Sequence, residues 1–206
     1  MAENLPVNFS IPAEPVIASY DFYDFAEGTG IKTFYACASV DSGGTDYFLT
    51  ADVIYSDPKS TLAVNTVKVL DFNLSAFNTP KIIRGTAAIN VNYSMYTDNP
   101  GTHNCTLKFE FKKVSTATTT ILTLTSANLP VVGGAAAVSG LLCLTGIIPE
   151  TIFGLGDILR VTATLTANDG NCTSIKMGHD PQDRADPDYD LEKTQLKVNI
   201  PFKIPL

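Results

Sequence analysis

The chain has 206 residues, 45% of them hydrophobic, with 14 Lys and Arg against 21 Asp and Glu, a formal net charge of −7 and a sequence pI near 4.7. That length suffices to bury one sizeable core without covalent staples, and we expect one β domain, residues 20–206, behind a short leader segment. The basic residues are scattered singly, so there is no cationic face to neutralise phosphates, and nucleic acid is not an expected partner.

The first residues, "MAENLPVNFSIPAEP", carry an acidic residue and early prolines but no apolar run, which is not the pattern of a secretory signal. Alone, such a segment buries too little to offset its ordering entropy, so residues 1–19 are expected to be an extended arm that gains order on a partner. Without export, Cys37, Cys105, Cys143 and Cys172 are expected to be reduced and packed as small hydrophobes; they lie far apart with no C-x-x-C pair, against a zinc site. Aromatic residues cluster at Tyr20, Phe22, Tyr23, Phe25, Phe34, Tyr35, Tyr47 and Phe48. With no tryptophan in the chain, core and arm packing is favoured over a sugar-stacking platform.

From there the dominant signal is period two, the mark of strands with one buried face. Strands are expected at 32–40, 46–56, 64–74, 83–97, 105–113, 118–125, 141–148, 157–167, 172–178 and 196–204. In 83–97, Ile89, Val91, Tyr93 and Met95 alternate with Asn90, Asn92 and Ser94; in 105–113, Cys105, Leu107, Phe109 and Phe111 alternate with Thr106, Lys108, Glu110 and Lys112. "DSGGTD", "SDPKS", "TDNPGT", "GLGD" and "NDGN" supply turns, and "DNPGTHN" places His103 in a hairpin turn. No amphipathic helix is evident.

The stretch "VVGGAAAVSGLLCLTGII", 131–148, is long enough to raise a membrane reading, within a region free of Lys, Arg, Asp, Glu and His from Val114 to Pro149. Four glycines dilute it, prolines bracket it and no Lys or Arg anchors flank it, so it reads as a small-residue loop followed by a buried strand, with no membrane partner. The last strand, "LKVNIPFKI", points Leu196, Val198, Ile200, Phe202 and Ile204 inward. Pro201 has no N–H for a ladder, so this strand is expected at a sheet edge or bulged, and open to strand addition from another subunit. Ten or so strands with regular turns make an all-β, antiparallel, jelly-roll-like β-sandwich.

One stretch carries chemistry-bearing residues at high density: "GHDPQDRADPDYD", 178–190. Asp183, Asp186, Asp188 and Asp190 are calcium candidates by type, but the central glycine and terminal glutamate of an EF-hand loop are not in register, so no metal is assigned. A His179–Asp180 catalytic pair fails because adjacent residues on an extended chain point in opposite directions. No G-x-S-x-G, H-E-x-x-H or phosphate-loop pattern occurs, and no cofactor is called for. His179, Asp180 and Arg184 therefore read as the ties of a long structural connection.

"YDFYDFAEGTGIKTFYACAS" with "YSDP" near the start, and "GDILRVTATL", "GHDP..R" and "LKVNIPFKIPL" at the end, resemble virion structural proteins of tailed bacteriophages. The similarity runs from about residue 20 to 206 and is weakest from 114 to 149. It implies a β-sandwich particle protein without enzymatic activity, in which the "GHDP..R" block leads into the final strand.

Within that family the sequence favours a capsid decoration, or cement, protein. Such a protein is a jelly roll, often a homotrimer, assembled in the host cytoplasm on the capsid surface with the major capsid protein as partner. The arm residues Leu5, Pro6, Val7, Phe9, Ile11, Pro12 and Pro15 are the expected shell contacts. A head-fibre or tail-fibre module for host attachment is the alternative, disfavoured by the lack of a repetitive shaft; a carbohydrate-binding sandwich is the second. A single-jelly-roll major capsid protein is disfavoured because residues 1–31 contain no Lys or Arg.

Overall fold

A computed structural model of the chain describes residues 29–41, 44–54, 59–63, 67–134, 137–168, 172, 174–186, 191 and 193–203. The arm candidates Leu5 to Pro15 lie outside these residues. Twelve strands follow in order: β1 (Thr29–Asp41), β2 (Gly44–Thr50), β3 (Lys59–Ala63), β4 (Val67–Asn73), β5 (Lys81–Tyr96), β6 (Thr102–Val114), β7 (Thr118–Thr125), β8 (Leu129–Val132), β9 (Val138–Phe153), β10 (Ile158–Ala167), β11 (Ser174–Gly178) and β12 (Leu196–Lys203). Among the described residues there is no helix, and so none long and apolar enough to cross a membrane.

The pairings nest. β6 pairs β7, β5 pairs β9, β4 pairs β10, β3 pairs β11 and β1 pairs β12, all antiparallel, each pair enclosing the one before it in sequence. A long antiparallel ribbon rolled on itself gives this pattern, and it is the jelly-roll form of the β-sandwich. One sheet runs β9-β5-β12-β1-β2, with β11 and β3 continuing beside the far end of β5; the other runs β4-β10-β6-β7, with β8 alongside β6. A single parallel pair, Phe48↔Asn73, joins β2 to β4 and connects the two sheets.

Alternation sets the faces. Along β6, His103, Cys105, Leu107, Phe109 and Phe111 are buried, each separated by a half-buried residue. They meet Leu159, Val161, Ala163 and Leu165 of β10, and across the sandwich Ile83, Ile89 and Val91 of β5, in one continuous core. Burying side chains of this size supplies roughly 1.5–3 kcal/mol each before entropy is subtracted. At one end of the core Phe77 packs edge-on against Phe153 (ring centroids 5.2 Å) and touches Phe202. Gly146 of β9 sits directly under β7: a Cβ there would lie 2.7 Å from Leu124 Cδ2 and 2.9 Å from Leu122 Cδ1.

Three sequence expectations change. β12 is not at an edge but lies between β1 and β5. Its ladder with β1 continues through Ile31↔Pro201, while its register with β5 shifts between Asn199 and Phe202, so a bulge accommodates the proline inside the sheet. The bulge also turns Pro201 inward, where it is buried. Strand addition at β12 is therefore closed off. The segment 141–148 is not a buried strand: it is the middle of the 16-residue β9, which forms a sheet edge and exposes alternate side chains. His103, expected in a turn, is a buried residue of β6, with Nε2 3.3 Å from the Pro100 carbonyl. All four cysteines are unbridged; Cys37, Cys105 and Cys172 are buried and Cys143 is exposed on β9.

Candidate functional site

The connection from β11 to β12 holds the densest set of buried polar groups in the described structure. Gly178 ends β11 against the backbone of Thr194: a Cβ on Gly178 would meet Thr194 O at 2.4 Å and its Cα and C at 2.5 Å. Only glycine allows that approach. The chain then divides its next two side chains between different surroundings. His179, 1% exposed, places its ring 5.9 Å from Tyr47 at 88° and 6.0 Å from Phe72 at 57°. Tyr47 lies on β2 and Phe72 on β4, beside the Phe48↔Asn73 pair, so the imidazole packs where the two sheets join.

Asp180 is completely buried and acts as the hub of the connection. Its Oδ1 accepts from the Gln182 N–H at 3.0 Å, and its Oδ2 accepts from the Arg184 N–H at 3.4 Å and from Arg184 Nε at 2.6 Å. The Asp180 N–H donates to the Thr194 carbonyl at 2.9 Å, and the Asp183 N–H donates back to the Asp180 carbonyl, closing a turn. Asp183 takes the left-handed conformation (φ 54°), which short polar residues tolerate better than most. Its Oδ1 accepts from both the Thr194 and Gln195 N–H groups, at 3.1 and 3.0 Å, and Lys193 lies 3.4 Å from its Oδ2. Thr194 Oγ1 donates to the Arg184 carbonyl at 2.6 Å, Gln195 Nε2 donates to the Pro181 carbonyl, and Asp186 pairs through its backbone with Leu191.

The structure therefore brings His179, Asp180, Asp183, Arg184 and Asp186 into one connection. Asp188 and Asp190 lie outside the described residues. The oxygens that a cation would need on Asp180 and Asp183 already accept hydrogen bonds from the chain, and no group of three or more His, Cys, Asp or Glu side chains among the described residues could hold a metal ion. The sequence identified the charged members of this cluster and His179 but neither Thr194, later in the same connection, nor Tyr47 and Phe72, which arrive from distant strands. The glycine before His179 was the one local sign that another backbone approaches there.

Outside the core, the β4-β10-β6 sheet carries paired charges. On β4 and β10, Arg160 donates to Asn73 Oδ1 at 2.7 Å and to Asp71 Oδ2 at 3.0 Å, while Thr162 Oγ1 donates to Asp71 Oδ1 at 2.6 Å. On β6, Glu110 lies between Lys108 (3.4 Å) and Lys112 (3.3 Å). Burial pushes the Glu110 carboxyl up, but the two ammonium groups outweigh it and leave its pKa below the usual value. The Gly154 N–H, donating at 2.6 Å, and then Lys113 at 3.0 Å hold the Asp157 carboxyl below its usual range as well. Lys113 also donates to the Ile152 carbonyl, tying the ends of β6 and β9 together.

Both carboxyls have lower folded than unfolded pKa values, so their contribution is present above the ordinary carboxylate range and disappears as pH falls through the lowered folded values. The melting temperature is therefore expected to hold from pH 7 to about pH 5 and to fall below about pH 4. Asp157→Asn should shrink that acid decline; an unchanged pH profile in the variant would remove Asp157 as a cause.

No protein-family model matches the chain, and no curated protein matches its sequence. Solved structures do match. An α-amino acid ester hydrolase aligns with 83% of this chain and 36% of its own at a TM-score of 0.50 and 9% identity. A CocE/NonD family hydrolase from Staphylococcus aureus aligns with 81% of this chain and 36% of its own at a TM-score of 0.48 and 11% identity. The infectious bursal disease virus VP2 subviral particle aligns with 81% of this chain and 42% of its own at a TM-score of 0.26 and 9% identity. The chain spans about a third of the length of the two hydrolases.

These matches correct one expectation. The phage resemblance implied a protein without enzymatic activity, but an α-amino acid ester hydrolase shares the fold over 83% of the chain, so the absence of an activity no longer follows from what the chain resembles. What the likeness establishes at this identity is architecture: the chain is an all-β, jelly-roll β-sandwich closed by the 178–195 connection.

Proposed function

We propose that this β-sandwich is a building block of a virus particle, a decoration protein that binds the capsid shell and stabilises it. The observation that carries the reading is the resemblance of "GDILRVTATL", "GHDP..R" and "LKVNIPFKIPL" to tailed-phage virion proteins. In space these blocks are β10, the connection built on Asp180, and β12, a contiguous share of the core. The likeness thus falls on residues that hold the roll closed. A rigid roll with an arm at one end suits a subunit that must survive as part of a particle.

In this reading residues 1–19 lie on the major capsid protein, with Leu5, Val7, Phe9 and Ile11 as apolar contacts held extended by Pro6, Pro12 and Pro15. Subunits that bind only the assembled shell stabilise it by mass action. The net charge of −7 limits aggregation in bulk and suits a cationic shell patch.

Copy number per particle tests the proposal, measured by quantitative mass spectrometry of purified virions against the major capsid protein. Hundreds of copies, in simple ratio to the shell subunit, are expected. A few copies would make it a fibre or vertex component, and none would end the virion reading. Deleting residues 2–16 should abolish binding to purified shells while the sandwich melts as before; full occupancy by the truncated chain would overturn the arm assignment. Turnover of an α-amino-acid ester by the purified chain, lost on heat denaturation, would instead move its function to hydrolysis.

A further inference from the structure

The flank of the sandwich formed by β7 and β9 is unlike the rest of its surface. These are the edge strands of the two sheets; β7 and the Val138–Pro149 part of β9 fall within Val114–Pro149, the stretch without a single Lys, Arg, Asp, Glu or His, and β9 then continues through Glu150 to Phe153. All 35 formal charges of the chain, 14 basic and 21 acidic, lie elsewhere in the sequence. β7 turns threonines outward. β9 turns out Leu141, Cys143, Thr145 and Ile147, with Leu141 66% and Ile147 74% exposed.

Among the described residues β9 pairs as a strand only with β5; beyond that ladder the Ile152 carbonyl accepts from Lys113, and the run from Val138 to Ile148 has no second strand beside it. Proteins usually blunt such an edge with lysine, an inward charge, a bulge or a very short strand. Here the register shift opposite Ile83 and Gly85, next to Pro149, Glu150 and the Lys113 bond to Ile152 all fall at one end of β9, which leaves the run from Val138 to Ile148 regular and uncharged.

We infer that this edge is the contact with a second copy of the chain, made by antiparallel addition of β9 to β9 about a two-fold axis. Charge selects this occupant. Two copies each carrying −7 repel over most of their surfaces, whereas the run from Val138 to Pro149 is uncharged and Glu150, the one ionised side chain of β9, is offset by Arg84 at 3.6 Å and Lys203 at 3.9 Å in its own copy. Side-chain pattern selects the register. With the axis at Leu144, Leu141 of one copy faces Ile147 of the other, Ile147 faces Leu141, and Cys143 faces Thr145, so the two most exposed apolar side chains of β9 each gain an apolar partner, while Val138 faces Glu150 at the ends of the contact. The two β9-bearing sheets then merge into one continuous sheet. The contact is two-fold, unlike the trimer suggested by the phage resemblance, and it does not depend on the virion reading.

Sedimentation velocity on the full chain over a concentration series should show a dimer. Ile147→Lys should weaken association about a hundredfold, because the symmetry introduces the cation twice, and at concentrations low enough for both proteins to be monomeric should leave the melting temperature unchanged, because the side chain is largely exposed. A second variant tests the register independently of affinity. Thr145→Cys, with Cys143 retained, sets the two thiols opposite each other across the axis, and mild oxidation should give a covalent dimer that Cys143→Ser abolishes. A monomer at tens of micromolar, an oligomer indifferent to Ile147→Lys, or cross-links joining β9 to residues 1–28 or to another protein in place of its own copy would each overturn the inference.

Discussion

Gly178→Ala is expected to cost about 3 kcal/mol or more, a fall in melting temperature of roughly 6–12 °C for a chain of this size. The added methyl would sit 2.4–2.5 Å from three backbone atoms of Thr194, well inside any real carbon contact. Those atoms cannot swing aside as a leucine tip would. The Thr194 carbonyl accepts from the Asp180 N–H, the Thr194 N–H is held by Asp183, and its hydroxyl is tied to the Arg184 carbonyl, so relieving the overlap breaks hydrogen bonds on both sides. Gly154→Ala is the control. A Cβ there would lie 3.5 Å from Asp157 Oδ2, an ordinary contact, and the N–H that Asp157 accepts is retained. Its stability should change by less than about 0.5 kcal/mol. Equal denaturation midpoints for the two variants would show that the backbone at Thr194 yields, and that the connection is softer than its hydrogen bonds imply.

How much of this was legible in the sequence depended on whether the deciding interaction was local. β6 follows from alternation alone: Cys105, Leu107, Phe109 and Phe111 fall on one face because a strand has period two, and that face is buried. β3 and β8 were not separately identified, being short strands within stretches too brief for periodicity to show. Pro201 illustrates a different limit. Its missing N–H restricts one side of a strand only, and the sequence does not say that the other side still pairs with β1 while a bulge absorbs the defect toward β5. β9 misled for a third reason. Leu141, Leu142, Leu144, Ile147 and Ile148 are apolar on both faces, which reads as burial, yet the isolated chain covers only the face under β7. An apolar outer face on an edge strand is information about assembly, and composition cannot separate it from information about the core.

The 178–195 connection divides in the same way. Asp180 and Arg184 are four residues apart and their pairing is local, so spacing and charge announce it. The place of His179 between Tyr47 and Phe72 depends on two strands more than a hundred residues earlier and on the roll that carries them there. Loop residues were therefore identifiable as ties, while what they tie together required the fold: the imidazole packs at the junction of β2 and β4, and the carboxylate beside it fixes the chain that presents it.

Asp180→Ala is the second substitution with a large expected effect, about 3 kcal/mol. Its two oxygens serve two backbone N–H groups and the Arg184 guanidinium. Removing them leaves donors in a partly buried turn without an acceptor, at about 1–3 kcal/mol for each that water cannot reach. Arg184 lowers the total, because its side chain is 37% exposed and can turn to solvent when the carboxylate is lost. That asymmetry predicts an order among variants. Asp180→Asn retains one acceptor oxygen and should cost less than alanine. Arg184→Met keeps the aliphatic stem and both backbone donors but leaves the fully buried carboxylate without its countercharge, so it should cost more than the roughly 0–1 kcal/mol typical of a surface pair. Urea unfolding of the three variants and the Asp180→Ala/Arg184→Met double variant measures the coupling directly. A coupling near zero would reduce the ion pair to a surface contact and leave the backbone hydrogen bonds as the whole of the lock. A coupling of about 1 kcal/mol or more would make the Arg184 guanidinium part of what holds His179 at the closure of the roll.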